Sequence, residues 1–352
     1  MKIVTIVGAR PQFIKCAPLS REIRKNNTEI LVHTGQHYDR NMSAVFFEEL
    51  RIPAPDYNLS IGSGPQGEQT GRMLGAIEEV LIKEEPDLLL VYGDTNSTIA
   101  GALAAAKLHI PVAHVEAGLR SFDRRMPEET NRVVTDHVSA LLFCPTETAV
   151  VNLREEGITE GVYMTGDVMV DAVLFNRELA AGLNSAYPEG GYYCATVHRA
   201  GNTDSEENLR NIISALSDLD LPVIFPAHPR TLKCMQEYGL KAGGNVRIIE
   251  PLPYLEMLDL MAHSKKILTD SGGIQKEAHI LGVPCVTLRE NTEWVETLDG
   301  GWNVLAGAER ERILEAAKGP APEASGHCQL FGGGRASERI VEWLEVFAGG
   351  RP

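Results

Sequence analysis

Short apolar runs rich in β-branched residues recur along this chain at Ile3 to Val7, Glu29 to His33, Leu88 to Tyr92, Val112 to Val115 and Leu141 to Cys144. Segments of helical periodicity such as Gly67 to Lys83 separate them. Strands that read as continuous apolar runs are buried on both faces, and parallel neighbours need helical crossovers between them. The alternation therefore predicts a parallel sheet flanked by helices. After a polar, Gly/Pro-bearing stretch from Gly182 to Gly191 a second series begins, at Tyr192 to Thr196, Pro222 to Ala227, Val246 to Ile249, Lys266 to Thr269 and Cys285 to Thr287. At 352 residues the chain exceeds what one hydrophobic core usually serves. The expectation is an α/β protein of two Rossmann-like, doubly wound domains facing each other across a cleft. A last segment, Ser337 to Phe347, carries apolar residues at Ile340, Val341, Trp343, Leu344 and Val346, which suits an amphipathic closing helix. Its periodicity does not say which domain it packs on.

Charge narrows the partners. Acidic residues outnumber basic ones 48 to 33, a formal charge of -15, the wrong sign for nucleic acid or an anionic membrane surface. An anionic ligand would need a local basic pocket. No apolar run approaches the ~18 residues of a membrane span. The start at Met1 to Gly8 reads as a buried first strand rather than a signal peptide, because Arg10-Pro11 follows with no small-residue cleavage site. A cytoplasmic chain is expected. The six cysteines (Cys16, Cys144, Cys194, Cys234, Cys285 and Cys328) form no C-x-x-C pair, so neither zinc nor a disulfide framework is indicated. Among the histidines, His33 with His37 and His114 with Glu116 are the closest approaches to a ligand pattern, and no metal site is expected.

The turn after the first strand, Gly8-Ala9-Arg10-Pro11, lacks G-x-G-x-x-G, and the second strand ends in His33-Thr34-Gly35 rather than in a ribose-binding acid. A dinucleotide dehydrogenase is therefore disfavoured. What the turn supplies is Arg10 at a helix start and Lys15 about a turn later, near a helix N-terminus that attracts anions; the alternative is a solvated surface pair.

In an open α/β sheet ligands bind beyond the carboxyl ends of the strands. Here acids stand there: Leu88 to Tyr92 runs into Gly93-Asp94, and Val112 to Val115 into Glu116. Asp94 could be a helix N-cap, and Glu116 could form a salt bridge with Arg120. Met126 to Arg132 reads as a helix start bearing Glu128 and Glu129. Taken together the acids suggest acid/base chemistry, in which carboxylates in different environments divide the roles. In the second half His198 follows one strand end, His228-Pro229-Arg230 another, and Lys266 to Thr269 leads into Asp270-Ser271-Gly272-Gly273 opening a helix with Glu277 one turn in. Such a turn presents backbone N–H groups to a phosphate, and Glu277 is placed to take ribose hydroxyls.

The runs Val7-Gly8-Ala9-Arg10-Pro11-Gln12, Gly93-Asp94-Thr95, His114-Val115-Glu116-Ala117-Gly118-Leu119-Arg120, Pro127-Glu128-Glu129-x-Asn131-Arg132 and Thr269-Asp270-Ser271-Gly272-Gly273 closely resemble the non-hydrolysing UDP-N-acetylglucosamine 2-epimerases, in the same order over nearly the whole chain. The resemblance implies a glycosyltransferase-B-like fold. Residues 1–171 with 336–352 would form one domain, closed by a helix crossing back, and residues 172–335 a UDP-binding domain. It implies a homodimer and a reaction without a redox cofactor, in which UDP is eliminated across C1 and C2 of the sugar, a 2-acetamidoglucal forms, and UDP re-adds. By motif position Asp94, Glu116 and Glu128 would be the acid/base carboxylates and His198 would hold the leaving diphosphate. Arg10, Lys15, Ser271, Gly272, Gly273 and Glu277 would bind UDP. Trp294, in Thr292-Glu293-Trp294-Val295-Glu296, stands where many members have Arg and resembles the branch acting on UDP-2,3-diacetamido-2,3-dideoxyglucuronate. Glu68 departs from the basic residue that precedes Gln-Thr in members activated by UDP-N-acetylglucosamine. The alternatives are a retaining glycosyltransferase of the same fold, a hydrolysing epimerase, and a sensor that binds nucleotide sugar without turning it over, which would have lost the acids.

Overall fold

A computed structural model describes residues 1–36, 50–181, 183, 187–322 and 331–350. His37, Cys328 and residues 182 and 184–186 of the stretch between the two series lie outside the described residues. The chain divides into two compact units, Met1–Leu174 with Phe331–Pro352, and Phe175–Leu330.

The first unit is built on a seven-stranded sheet, β1 (Lys2–Val7), β2 (Thr28–His33), β3 (Tyr57–Asn58), β4 (Leu88–Tyr92), β5 (Val112–Val115), β6 (Leu141–Cys144) and β7 (Val162–Met164). Its order is β3-β2-β1-β4-β5-β6-β7, with every neighbour parallel. Helices α1 (Arg10–Asn26), α2 (Gln66–Glu84), α3 (Asn96–Lys107), α4 (Pro127–Val138) and α5 (Glu147–Glu155) alternate with the strands, and α6 (Val168–Ala180) runs from this unit into the second. One core layer joins Val4, Ile6, Val32, Leu89 and Val91 of the sheet to Met73 and Ile77 of α2 and the alanines of α3. Those small side chains let α3 lie close: a methyl on Gly101 would stand 3.2 Å from both Ile6 and Val91. Helix α1 buries Phe13, Ile14, Leu19 and Ile23.

The second unit has six parallel strands, β8 (Tyr193–Thr196), β9 (Val223–Pro226), β10 (Val246–Ile249), β11 (Lys266–Thr269), β12 (Cys285–Thr287) and β13 (Asn303–Leu305), in the order β10-β9-β8-β11-β12-β13. Its helices are α7 (Ala200–Thr203), α8 (Glu206–Ser217), α9 (Pro229–Glu237), α10 (Tyr254–Ala262), α11 (Gly272–Leu281) and α12 (Arg310–Lys318), with a 3-10 segment at Val295–Gly301. Tyr193, Phe225, Leu268 and Val286 pack there on Leu209, Ile212, Leu216 and Ile313. The doubly wound class is thus observed in each unit. Three edge strands, β3, β7 and β13, were absent from the sequence expectation. They are two or three residues long and only partly buried, so they carry no continuous apolar run.

The closing helix α13 (Ala336–Gly349) belongs to the first unit and packs on α1. Trp343 stacks on Tyr163 at 4.1 Å between centroids, and Asn26 Nδ2 donates to Glu345 at 3.3 Å. The entry to α13 is capped from another helix: Asp171 of α6 accepts from the Ala336 and Ser337 amides at 3.1 and 3.3 Å. No helix of the described residues is long and apolar enough to cross a membrane.

Candidate active site

In the first unit strand order reverses between β1 and β4, the switch point at which open α/β sheets bind ligands. The turn out of β1 is set by Gln12. Its Oε1 accepts from the Gly8 and Ala9 amides at 2.8 and 3.1 Å. Its Nε2 donates to the Tyr92 carbonyl at 2.9 Å and to Thr98 Oγ1 at 3.1 Å. A buried amide is tolerated when so fully bonded, and this one ties β1, β4 and α3 together. Gly8 is required by crowding, since a methyl there would overlap both Ser97 Oγ and Thr34 Oγ1, themselves 2.8 Å apart. Arg10 then begins α1 as expected, and Lys15 projects from it to form an ion pair with Glu116.

Glu116 follows β5 in the left-handed region, with φ 74°, a conformation that costs a non-glycine residue about 1–3 kcal/mol and persists where its surroundings over-determine it. Its amide and that of Ala117 both donate to the Phe143 carbonyl at 3.1 Å. The salt bridge to Arg120 considered from sequence does not form. Arg120 is committed instead to Asp136 Oδ2 at 2.7 Å, to both oxygens of Glu156 at 2.7 Å, and to the Leu119 carbonyl. Asp94 is not a helix cap either. Thr95 caps α3 by accepting from the Thr98 amide, leaving the Asp94 carboxylate one residue earlier, paired with Arg132 of α4.

The first turn of α4 carries adjacent acids with opposite commitments. Glu129 is consumed by structure: it accepts from the Ser121 amide and hydroxyl at 2.9 and 2.8 Å, the Phe122 amide at 2.9 Å, and Arg132 at 2.9 Å. Burial pushes its carboxyl up, but these donors outweigh burial and hold it below the ordinary value. Glu128 is half-buried and has no hydrogen bond or ion pair to any described residue, so its carboxylate remains available for chemistry. Arg10, Lys15, Asp94, Glu116 and Glu128 thus gather around the carboxyl ends of β1, β4 and β5 and the start of α4.

The second unit repeats the switch point between β8 and β11. Asp270, fully buried, accepts from the amides of His198 (3.1 and 3.0 Å) and Arg199 (2.9 Å) and from Asn202 Nδ2 (3.1 Å). The half-exposed His198 ring lies with Nδ1 3.4 Å from Asp270 Oδ1. Ser271 caps α11 through the Ile274 amide. Gly272 is crowded by Glu293, whose carboxylate would overlap any methyl placed there. Burial raises Glu293, but Arg289 at 3.0 Å, with more distant help from Arg199, keeps it below the ordinary range. Gly273 is less enclosed. Glu277 is buried within α11, and the neighbouring Lys276 ammonium lies 3.9 Å above the Trp294 ring. The other cation flagged at a strand end, Arg230, is engaged at the surface by both oxygens of Asp204, at 2.6 and 2.7 Å, and His228 caps α9. Sequence reasoning assigned no role to Gln12, Asp136 or Asp270, although Gln12 and Asp270 lie inside the motifs it singled out. Each acts on backbone amides or carbonyls, which leave no pattern in spacing.

The family model described as UDP-N-acetylglucosamine 2-epimerase matches residues 21–345. A UDP-N-acetylglucosamine 2-epimerase homolog of Methanococcus maripaludis is 58% identical over 98% of this chain and 99% of its own. The UDP-2,3-diacetamido-2,3-dideoxy-D-glucuronate 2-epimerase of Pseudomonas aeruginosa is 52% identical over the same shares. The crystal structure of the Methanocaldococcus jannaschii UDP-GlcNAc 2-epimerase, in complex with UDP-GlcNAc and UDP, superposes with a TM-score of 0.89 at 48% identity, covering 98% of this chain and 100% of that one. The chain belongs to the UDP-N-acetylglucosamine 2-epimerase family and is an isomerase.

Proposed function

We propose that this chain inverts C2 of a UDP-linked 2-acetamido sugar, UDP-GlcNAc to UDP-ManNAc, without net hydrolysis. The observation that carries the reading is the gathering of Asp94, Glu116 and Glu128, the last without a partner among the described residues, at one sheet rim beside the basic residues Arg10 and Lys15. A base removes the C2 proton, and the electron pair forms the C1=C2 bond as the C1–O bond breaks and UDP leaves with its own pair. Protonation of C2 from the other face and return of the UDP oxygen to C1 complete the inversion. The three carboxylates serve as acid and base. His198 and the Ser271-Gly272-Gly273 turn take the diphosphate, with Arg10 and Lys15, and Glu277 takes the ribose. Lys15, paired with Glu116, would exchange that partner for phosphate. In this reading residues 1–171 with 336–352 form the acid/base domain and residues 172–335 the UDP-binding domain of a cytoplasmic homodimer.

A second substrate, the UDP-2,3-diacetamido uronate, is favoured by Trp294 and by the 52% identity to the Pseudomonas enzyme. Proton NMR in heavy water with each UDP sugar tests both. Deuterium entering C2 while the UDP-linked epimer accumulates is expected, and the faster substrate identifies the branch. No exchange with either overturns the reading and restores the glycosyltransferase. Asp94→Asn, Glu116→Gln and Glu128→Gln should each lower kcat by ~100-fold or more.

A further inference from the structure

We infer that Asp136, acting through His114, is the positioning residue that fixes Glu116 relative to Asp94. The inference rests on the acid/base reading above and concerns groups to which that reading gives no part.

Asp136 lies on α4, two turns beyond Glu128, and is buried with His114 and Arg120. Its Oδ1 lies 2.7 Å from His114 Nδ1, and its Oδ2 accepts from the Gly118 amide at 3.1 Å and from Arg120 at 2.7 Å. One carboxylate therefore grips the chain two residues before Glu116 and two residues after it. The other edge of His114 faces the Gly93 carbonyl, with Nε2 at 2.7 Å. A carbonyl and a carboxylate both only accept, so Nε2 donates to Gly93 and Nδ1 donates to Asp136, and the imidazole bridges the Glu116 strand to the residue preceding Asp94. Gly93 in turn borders the Glu116 carboxylate, for a methyl on it would stand 3.2 Å from Glu116 Oε2.

Burial alone would raise Asp136, yet His114 and Arg120 hold it below the usual carboxylate range, so the clamp stays charged. The same helix reaches Asp94 by a separate route, through Arg132, and presents Glu128 directly. Residues 128, 132 and 136 are spaced four apart on the helix, so one face of α4 sets the mutual placement of all three acids. A left-handed Glu116 has no intrinsic reason to keep its φ. The grip at His114 and Gly118 supplies one.

The test compares Asp136→Asn, His114→Gln and His114→Ala with Glu116→Gln, measuring kcat, KM and the Kd for UDP. Misplacing a reacting group by about 1 Å costs on the order of 10²-fold. His114→Ala should therefore lose about that in kcat, and Asp136→Asn should lose at least tenfold. His114→Gln, which can still donate to Gly93, should recover part of the loss. KM and the UDP Kd should stay within about twofold throughout. Glu29→Gln, a buried carboxylate on β2 bonded to Thr5 and Ser20, is the control for lost stability, and should lower Tm while leaving kcat near wild type. If Glu116→Gln is inactive while Asp136→Asn and His114→Ala turn over normally, the positioning inference fails alone. If Glu116→Gln is itself fully active, the acid/base reading fails. A kcat that follows Tm equally in all variants, Glu29→Gln included, also overturns the inference.

Discussion

Asp171 makes the docking of the closing helix depend on pH in a direction opposite to that of most paired carboxylates. Burial, with a smaller contribution from Asp167, raises its carboxyl from 3.8 to about 6, against the pull of the Ser337 and Ala336 amides it accepts from. The folded protein thus binds this proton more tightly than the unfolded chain. Below the unfolded pKa both states are protonated and the group contributes no difference. Between about pH 4 and 6 the unfolded chain ionises first, so stability falls with rising pH and levels off above 6. A rise of about two pK units corresponds to about 3 kcal/mol at full strength, less once solvent screening of this partly exposed group is allowed for. Asp171→Asn keeps an oxygen for the two amides but removes the titration. Calorimetric melting from pH 4.5 to 7.5 should show the variant gaining on wild type as pH rises, by ~2–4 °C for each kcal/mol in a unit of this size. A difference in Tm that stays flat across that range, or one that shrinks, refutes the reasoning.

Two further outcomes follow from crowding and burial. Gly8→Ala must displace Ser97 at the start of α3 or Thr34 after β2, so it should cost about 1–3 kcal/mol in denaturant unfolding and lower kcat; wild-type values for both would show that the turn has slack. Glu277→Gln should weaken UDP binding several-fold by titration calorimetry, with a smaller effect on kcat at saturating substrate, and an unchanged Kd would remove Glu277 from the ribose.

Much of this molecule is legible in its sequence because parallel strands buried on both faces must be apolar throughout. Leu88–Tyr92, Val112–Val115, Leu141–Cys144, Lys266–Thr269 and Cys285–Thr287 have the bounds their composition predicts. Tyr57–Asn58, Val162–Met164 and Asn303–Leu305 do not announce themselves, because an edge strand needs only hydrogen bonds on one side. The two sheets wind in the same order without any sequence repeat, since topology follows from the succession of elements and not from their residues. Within the site the candidate acids are visible as polar residues at strand ends. Their partners are not: Lys15 for Glu116, Arg132 for Asp94 and Asp136 for His114 are separated by 101, 38 and 22 residues. Glu128 and Glu129 are neighbours of one type, and only the loop at Ser121 and Phe122 reveals that Glu129 is already spoken for.

The capped closing helix also has a temporal consequence. Asp167 donates its amide to the Phe331 carbonyl at 2.9 Å, and Gly166 and Gly332 approach so closely that a methyl on either would press on the other's backbone. The segment that forms the second unit therefore leaves and re-enters the first at neighbouring points. During synthesis the whole segment of the second unit is made before α13, so the first unit cannot complete its fold until the second unit's chain has been translated. A released chain truncated before residue 331 should fold its second unit, yet leave the face of α1 that α13 covers open to solvent and the first unit with a lowered Tm.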